Sequence, residues 1–248
     1  MGFWPVVRRV LEECDIIVVV RDARVPDLSK NEEIDQAVRK SRKLVFEVFN
    51  KIDLIPKAEL EALKKENPDA IFTISTEKKG TDILKRKLVE KAQLVKSELR
   101  VGILGYPNMG KSALINALAG RNSAKVSSVA GTTKGSQWIK ISDKVLLIDT
   151  PGVVPFTKDD DDLVLLSAKN PEKLKDVEKS SYVIVKYLTR HRPETFKKYA
   201  KSNDVPRDVQ EALELIGKNR NYLLKGNVVD INRTSIQIIR DWQNGKIK

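Results

Sequence analysis

The chain has 248 residues, 41% of them apolar and 32% charged, a balance that excludes disorder and leaves enough apolar mass for a buried core. Lys and Arg total 46 against 34 Asp and Glu, a formal +12 at pH 7, which points to an anionic partner, nucleic acid first. A lone cysteine, Cys14, excludes an internal disulfide and indicates a reducing compartment, and a lone histidine, His191, excludes multi-ligand zinc sites and argues against Ser-His-Asp chemistry.

The longest apolar run, Ile16–Val20, is far short of the roughly 20 residues that span a bilayer. The arginines of residues 1–10 follow the apolar residues, the wrong order for a secretory leader. A soluble, cytoplasmic protein with no membrane partner is expected.

In chain order, the β-branched run Asp15–Val20 predicts a buried strand. Lys30–Arg42 has helical spacing with Ile34 and Val38 on one face. Leu44–Phe49 predicts a second strand, and Pro56 opens a helix through Glu66 with Leu60 and Leu63 inward. A third strand is expected at Ala70–Ile74, a long helix at Thr81–Ser97, a fourth strand at Arg100–Leu104 and a helix at Lys111–Ala119. Ser136–Ile141 and Val145–Ile148 read as a hairpin around Ser142-Asp143. This alternation implies an α/β fold with a mostly parallel sheet covered on both faces. After Pro155 comes the acidic run Asp159–Asp162, then helical spacing broken by Pro171, Pro193 and Pro206. The expected organisation is a domain over residues 1–165 and a small all-helical domain over 166–248. Residues 166–248 hold 18 basic and 10 acidic side chains, net +8, which marks them as the expected polyanion-binding part. A solvated helical surface is the competing reading of that bias.

Gly105-Tyr-Pro-Asn-Met-Gly-Lys-Ser112 fits G-x-x-x-x-G-K-[ST], set between an apolar strand and a helix. Such a loop turns the backbone N–H groups of Asn108, Met109, Gly110, Lys111, Ser112 and Ala113 toward phosphate oxygens, and the helix adds the positive end of its dipole. Lys111 reaches the β- and γ-phosphates, and Ser112 offers a hydroxyl to Mg2+. Asp149-Thr-Pro-Gly152 follows the strand Val145–Ile148. Alone, D-x-x-G is often a plain turn; downstream of a P-loop, Asp149 suits Mg2+ and the Gly152 N–H suits a γ-phosphate. Between them, Ala130-Gly-Thr-Thr133 supplies Thr133 as a hydroxyl that closes onto Mg2+, or else is an ordinary Gly-Thr loop.

Asn50-Lys-Ile-Asp53 ends the strand Leu44–Phe49. A carboxylate offers two adjacent acceptors, and guanine, unlike adenine, offers two adjacent donors at N1 and N2. Asp53 therefore selects guanine by charge-assisted bidentate bonding. The Lys51 stem covers the base face, Asn50 ties the loop, and Ser75-Thr76 places backbone N–H near guanine O6.

With these motifs in hand, the chain resembles the TRAFAC-class GTPases and, more narrowly, the YlqF/RbgA-type circularly permuted GTPases. The usual order places the P-loop first; here Asn50–Asp53 and Ser75 precede Gly105–Ser112, Thr133 and Asp149–Gly152. Arg21-Asp-Ala-Arg24-Val-Pro26 is similar to the family's D-A-R signature, and Asp230–Arg233 with Arg240–Lys246 is similar to its C-terminal end. Ala130 stands where proline is usual, and Thr76 where Ala is usual. The resemblance implies a permuted Ras-like G domain, GTP/GDP and Mg2+ as cofactors, and a monomer acting on the large ribosomal subunit or its precursor through rRNA. Where many GTPases place a water-orienting Gln, this chain has Val153 and Val154, so intrinsic hydrolysis should be slow. The resemblance also implies that Asn108 helps to bind K+, with Lys111, Thr133 and Gly152 completing the catalytic set.

In the basic region, Lys186, Arg190, Arg192, Lys197, Lys198 and Lys201 are candidate phosphate contacts, each balanced by a plain exposed-face reading. Tyr182, Tyr187, Phe196 and Tyr199 read as core residues rather than base-stacking ones. Two other functions stay open on sequence: an RNA-binding module in which nucleotide is structural, and an adenine-nucleotide kinase or ATPase, against which Asn50–Asp53 argues.

Overall fold

The computed structural model describes residues 3–120, 125–126, 138–148, 150, 160–168, 174 and 176–248. The chain forms two compact units, residues 1–157 and 158–248.

In the first unit, helix α1 (Phe3–Glu13) leads into strand β1 (Ile16–Asp22), followed by α2 (Glu32–Lys40), β2 (Leu44–Asn50), α3 (Lys57–Glu66), β3 (Ile71–Thr73), α4 (Thr81–Gln93), β4 (Leu99–Leu104) and α5 (Lys111–Ala119). Strands β5 (Lys125–Val126), β6 (Trp138–Ser142) and β7 (Val145–Ile148) complete a seven-stranded sheet of order β3-β2-β1-β4-β7-β6-β5. The five strands from β3 to β7 in that order pair in parallel, and β7-β6-β5 pair antiparallel. Every residue of β1 is buried, the pattern of a strand covered on both faces.

Alternation divides the two faces. Ile17, Val19, Leu104, Leu146 and Ile148 join Val6, Val7 and Val10 of α1 and Ile34 and Val38 of α2 in one core cluster. Gly102 lets α1 sit directly on β4, because a Cβ there would strike Val10 and Cys14. The backbone N–H groups at the start of α2 are met by the Asn31 side chain, which accepts from the Ile34 N–H. On the same element, Glu32 and Glu33 in the first turn and Arg39 and Lys40 in the last suit the helix dipole.

Two elements lie beyond the sequence reading, α1 and the two-residue β5. The strand order reverses between β1 and β4. In open α/β sheets, the crevice at the carboxyl ends of the strands flanking such a reversal is the ligand position. Residues Asp22 and Leu104 end the two strands there.

The second unit comprises α6 (Asp160–Leu165), α7 (Val177–His191), α8 (Pro193–Ala200), α9 (Val209–Asn219) and α10 (Ile231–Gln243). The expected boundary after residue 165 leaves α6 with the first unit; the structure puts it in the second, where Trp242 Nε1 of α10 donates to the Leu165 carbonyl at 2.9 Å. Its acidic first turn, Asp160–Asp162, suits the positive end of the helix dipole. Asp176, Asp208 and Asp230 cap α7, α9 and α10 by accepting backbone N–H groups, and Pro193 occupies the first turn of α8. Ile184, Leu188, Phe196, Leu213, Ile216, Ile238 and Trp242 form the interior. Among the described residues, no helix is long and apolar enough to cross a membrane.

Candidate functional site

The loop Gly105–Ser112 leaves β4 and enters α5 through Gly110, whose φ is +90°. No other residue fits that position: a Cβ would collide with the Asn50 side-chain amide. Lys111 is buried, and its ammonium donates to the Gly105 carbonyl at 3.1 Å and the Tyr106 carbonyl at 2.7 Å. Ser112 is exposed and Ala113 half-buried at the helix start. Asn108 holds φ at +58° and Met109 is fully buried.

Asn50 brings the site together. Its Nδ2 donates to the Met109 carbonyl at 2.9 Å. Its Oδ1 accepts from Thr73 Oγ1 at 3.1 Å, the Ser75 N–H at 3.0 Å and Ser75 Oγ at 2.8 Å. One buried amide thus ties the ends of β2 and β3 to the P-loop, and the motifs at Asn50–Asp53, Ser75-Thr76 and Gly105–Ser112 meet at one end of one sheet. Asp53 lies in the short 3-10 turn Ile52–Leu54 and is half-buried; Thr76 is exposed.

Lys51 departs from the sequence expectation in one respect. Its stem is available to cover a base, but its ammonium is ion-paired to Asp22 Oδ2 at 2.8 Å. Asp22 is wholly buried and is also held by Arg24, whose Nη2 lies 2.7 Å from Oδ2 and whose Nε and backbone N–H donate to Oδ1 at 3.0 Å. Burial raises the Asp22 pKa, but the Arg24 and Lys51 charges outweigh it and hold the carboxyl well below the usual range. Burial conversely lowers the Lys51 pKa, against the opposing pull of Asp22. Neighbouring Arg21 is buried in ion pairs with Asp35 and Glu47 and donates to the Ser29 carbonyl. The D-A-R segment is therefore part of the site's wall, a role that its family signature alone did not reveal.

Three expected site residues, Thr133, Asp149 and Gly152, lie outside the described residues. Between the last two, Thr150 is buried with its hydroxyl donating to the Ile103 carbonyl.

A model of the RsgA GTPase family matches residues 7–158, and one described as 50S ribosome-binding GTPase matches residues 100–221. The chain is 31% identical over 255 residues to ribosome biogenesis GTPase A of Bacillus cereus, covering 96% of this chain and 85% of that one. It belongs to the YlqF/RbgA-type circularly permuted GTPases. It is also 38% identical over 245 residues to an uncharacterized GTP-binding protein of Methanocaldococcus jannaschii, covering 98% of this chain and 65% of that one. The GDP-bound YlqF structure superposes with a TM-score of 0.67 at 25% identity, covering 97% of this chain and 94% of that one. The permuted GTPase fold explains the sheet: β2 and β3, which carry the N-K-x-D and Ser75-Thr76 segments, come before the P-loop strand in the chain, yet stand in one sheet with it, separated from β4 only by β1.

In the second unit, Lys186, Arg190, Lys198 and Lys201 are exposed and Lys197 is half-buried, paired to Glu194 at 2.8 Å. Lys197, Lys198 and Lys201 line a shallow cleft of about 550 Å³ with Glu194, Ser202 and Asn203. Arg192 does not join this face. At 5% exposure its guanidinium is buried, 5.5 Å from the centre of the Tyr187 ring, at the junction of α7 and α8. Phe196 and Tyr199 are core residues, and Tyr182 and Tyr187 are half-buried.

Proposed function

We propose that this permuted GTPase binds GTP and hydrolyses it to GDP and phosphate, acting as a switch in assembly of the large ribosomal subunit through rRNA or pre-ribosome contacts. The observation that carries the reading is the Asn50 amide, which couples the base-reading loop to the phosphate loop within hydrogen-bond distance. Asp53 selects guanine through its N1 and N2 donors. The P-loop N–H groups and Lys111 bind the phosphates, and on ligand binding the Lys111 ammonium exchanges its two carbonyl partners for phosphate oxygens.

Gly110, where a Cβ would strike the Asn50 amide, keeps the P-loop against the N-K-x-D loop, and the loop's N–H groups suit a triphosphate with its Mg2+. Ser112 would hold that ion, with Asp149 and Thr133 as the further ligands that the motif spacing suggests, and the ion would neutralise charge that develops on the β- and γ-oxygens. With Val153 and Val154 after Gly152, no side chain there polarises water, so turnover is slow until K+ near Asn108 and a ribosomal particle supply charge and positioning. The exposed Lys186, Arg190, Lys198 and Lys201 draw the second unit to phosphate backbone. The protein works as a monomer in the cytoplasm.

Calorimetry checks the base assignment: tight binding of GTP without measurable ATP binding is expected, and equal affinity for the two sinks it. Asp53→Asn should lose GTP and gain xanthosine triphosphate. Turnover in KCl should exceed that in NaCl at matched ionic strength; equal rates remove Asn108 from its proposed role.

A further inference from the structure

Arg24 supplies three of the donors to the Asp22 carboxylate: Nε and the backbone N–H reach Oδ1, and Nη2 reaches Oδ2, which leaves one acceptor site on Oδ2. The Asp22 and Arg24 side chains are both wholly buried, so this pair is already neutral. Lys51, only half-buried, takes that remaining site at 2.8 Å, and the Asp22, Arg24 and Lys51 side chains together carry a net positive charge. Desolvating a third charge is unfavourable in itself, and neutrality does not require it. What the arrangement achieves is a fixed destination for the Lys51 ammonium.

That destination matters because of what lies on the other side. Lys51 sits at φ +65°, ψ +35°, in the left-handed region. It stands between Asn50, which faces the P-loop, and the turn that carries Asp53, whose charge also attracts Lys51. Asp22 and Asn50 are register partners across β1 and β2, and the Ala23 N–H donates to the Asn50 carbonyl at 3.0 Å. The D-A-R turn is thus bonded to the N-K-x-D loop by both backbone and side chain.

We propose that Asp22, held by Arg24, is a positioning residue for base specificity: it engages the Lys51 ammonium so that this cation does not close onto the Asp53 carboxylate that reads guanine. The inference rests on the guanine reading above and adds to it a residue that acts through Lys51 rather than on the base.

The test compares binding of GTP and of ITP, whose base lacks the N2 amino group, to the full chain. Wild type is expected to prefer GTP by about tenfold, one charge-assisted hydrogen bond. In Asp22→Asn the released ammonium competes for Asp53, and the preference should fall to about twofold or less. Adding Lys51→Met to Asp22→Asn removes that competitor and should restore the preference to at least about fivefold, a recovery that general structural damage does not produce. An undiminished preference in Asp22→Asn, or no recovery in the double variant, overturns the proposal. Should Asp22→Asn not fold, Lys51→Met alone decides: both affinities fall, but their ratio stays within about twofold of wild type, and a collapsed ratio overturns the proposal. A wild type that ranks GTP, ITP and ATP alike instead defeats the guanine reading itself, so the two failures are distinct.

Discussion

The two units handle charge in opposite ways. At the strand ends of the first, charged and polar groups are withdrawn from water: Asp22 and Arg24 are fully buried, and Asn50 and Lys111 nearly so. In the second, the interior is mostly apolar and the candidate RNA-contacting lysines lie towards the outside; of its buried charged groups, Arg192 lies near the Tyr187 ring and Asp241 is taken up by Tyr199, Gln237, Arg220 and Lys246. Buried polar groups demand fixed geometry, because each lost partner leaves an unsatisfied atom in a low-dielectric setting. Exposed cations act through summed attraction, which tolerates displacement. The first region should therefore fail sharply under substitution and the second gradually.

The harshest way to break that contrast is at Asn50. Asn50→Ala removes four hydrogen bonds and strands the Met109 carbonyl and the Ser75 N–H. A loss of at least about 3 kcal/mol is expected, more than 100-fold in GTP affinity by calorimetry; a loss below about fivefold ends the contrast. Trp242→Ala tests whether the second unit has a comparable weak point. The side chain is buried, donates to the Leu165 carbonyl and meets Tyr187 edge-on at 5.9 Å. About 3–5 kcal/mol of that unit's stability should be lost in denaturant titration, with GTP affinity held within about twofold.

The smallest effects belong to the exposed cations. Lys186→Ala, Lys198→Ala and Lys201→Ala should each weaken RNA binding modestly and reduce the log–log salt slope by about 0.7–0.9, additively. Arg192→Ala sharpens the comparison further. As a buried residue with its guanidinium 5.5 Å from the centre of the Tyr187 ring, it should lower stability and leave the salt slope unchanged.

Local motifs were legible because each is a short string at a strand-to-helix turn: the P-loop, N-K-x-D and Ser75 all sit where their spacing predicts. The helix at Glu32–Lys40 was legible from apolar periodicity, and the one at Lys111–Ala119 from its place after the P-loop. What escaped was of three kinds. Helix α1 had its signal, since Val6, Val7 and Val10 share one buried face, but the sequence reading goes no further there than excluding a secretory leader. Strand β5 is two residues long and carries no period. The Asp22–Lys51 pair joins residues 29 apart in the chain, and Arg192 looked like its exposed neighbours until Pro193 restarted the helix and turned it inward. Such contacts arise from tertiary packing, which no local pattern encodes.

Strand β1 lies inside the sheet, between β2 and β4. During synthesis β2 emerges soon after it, but β4 begins only at Leu99. Until then a fully buried strand presents a bare backbone edge to whatever surrounds the growing polypeptide, the condition under which nascent chains pair with the wrong neighbour. The permuted order thus carries a cost at birth: the seam between β1 and β4 cannot close until about a hundred residues have been made.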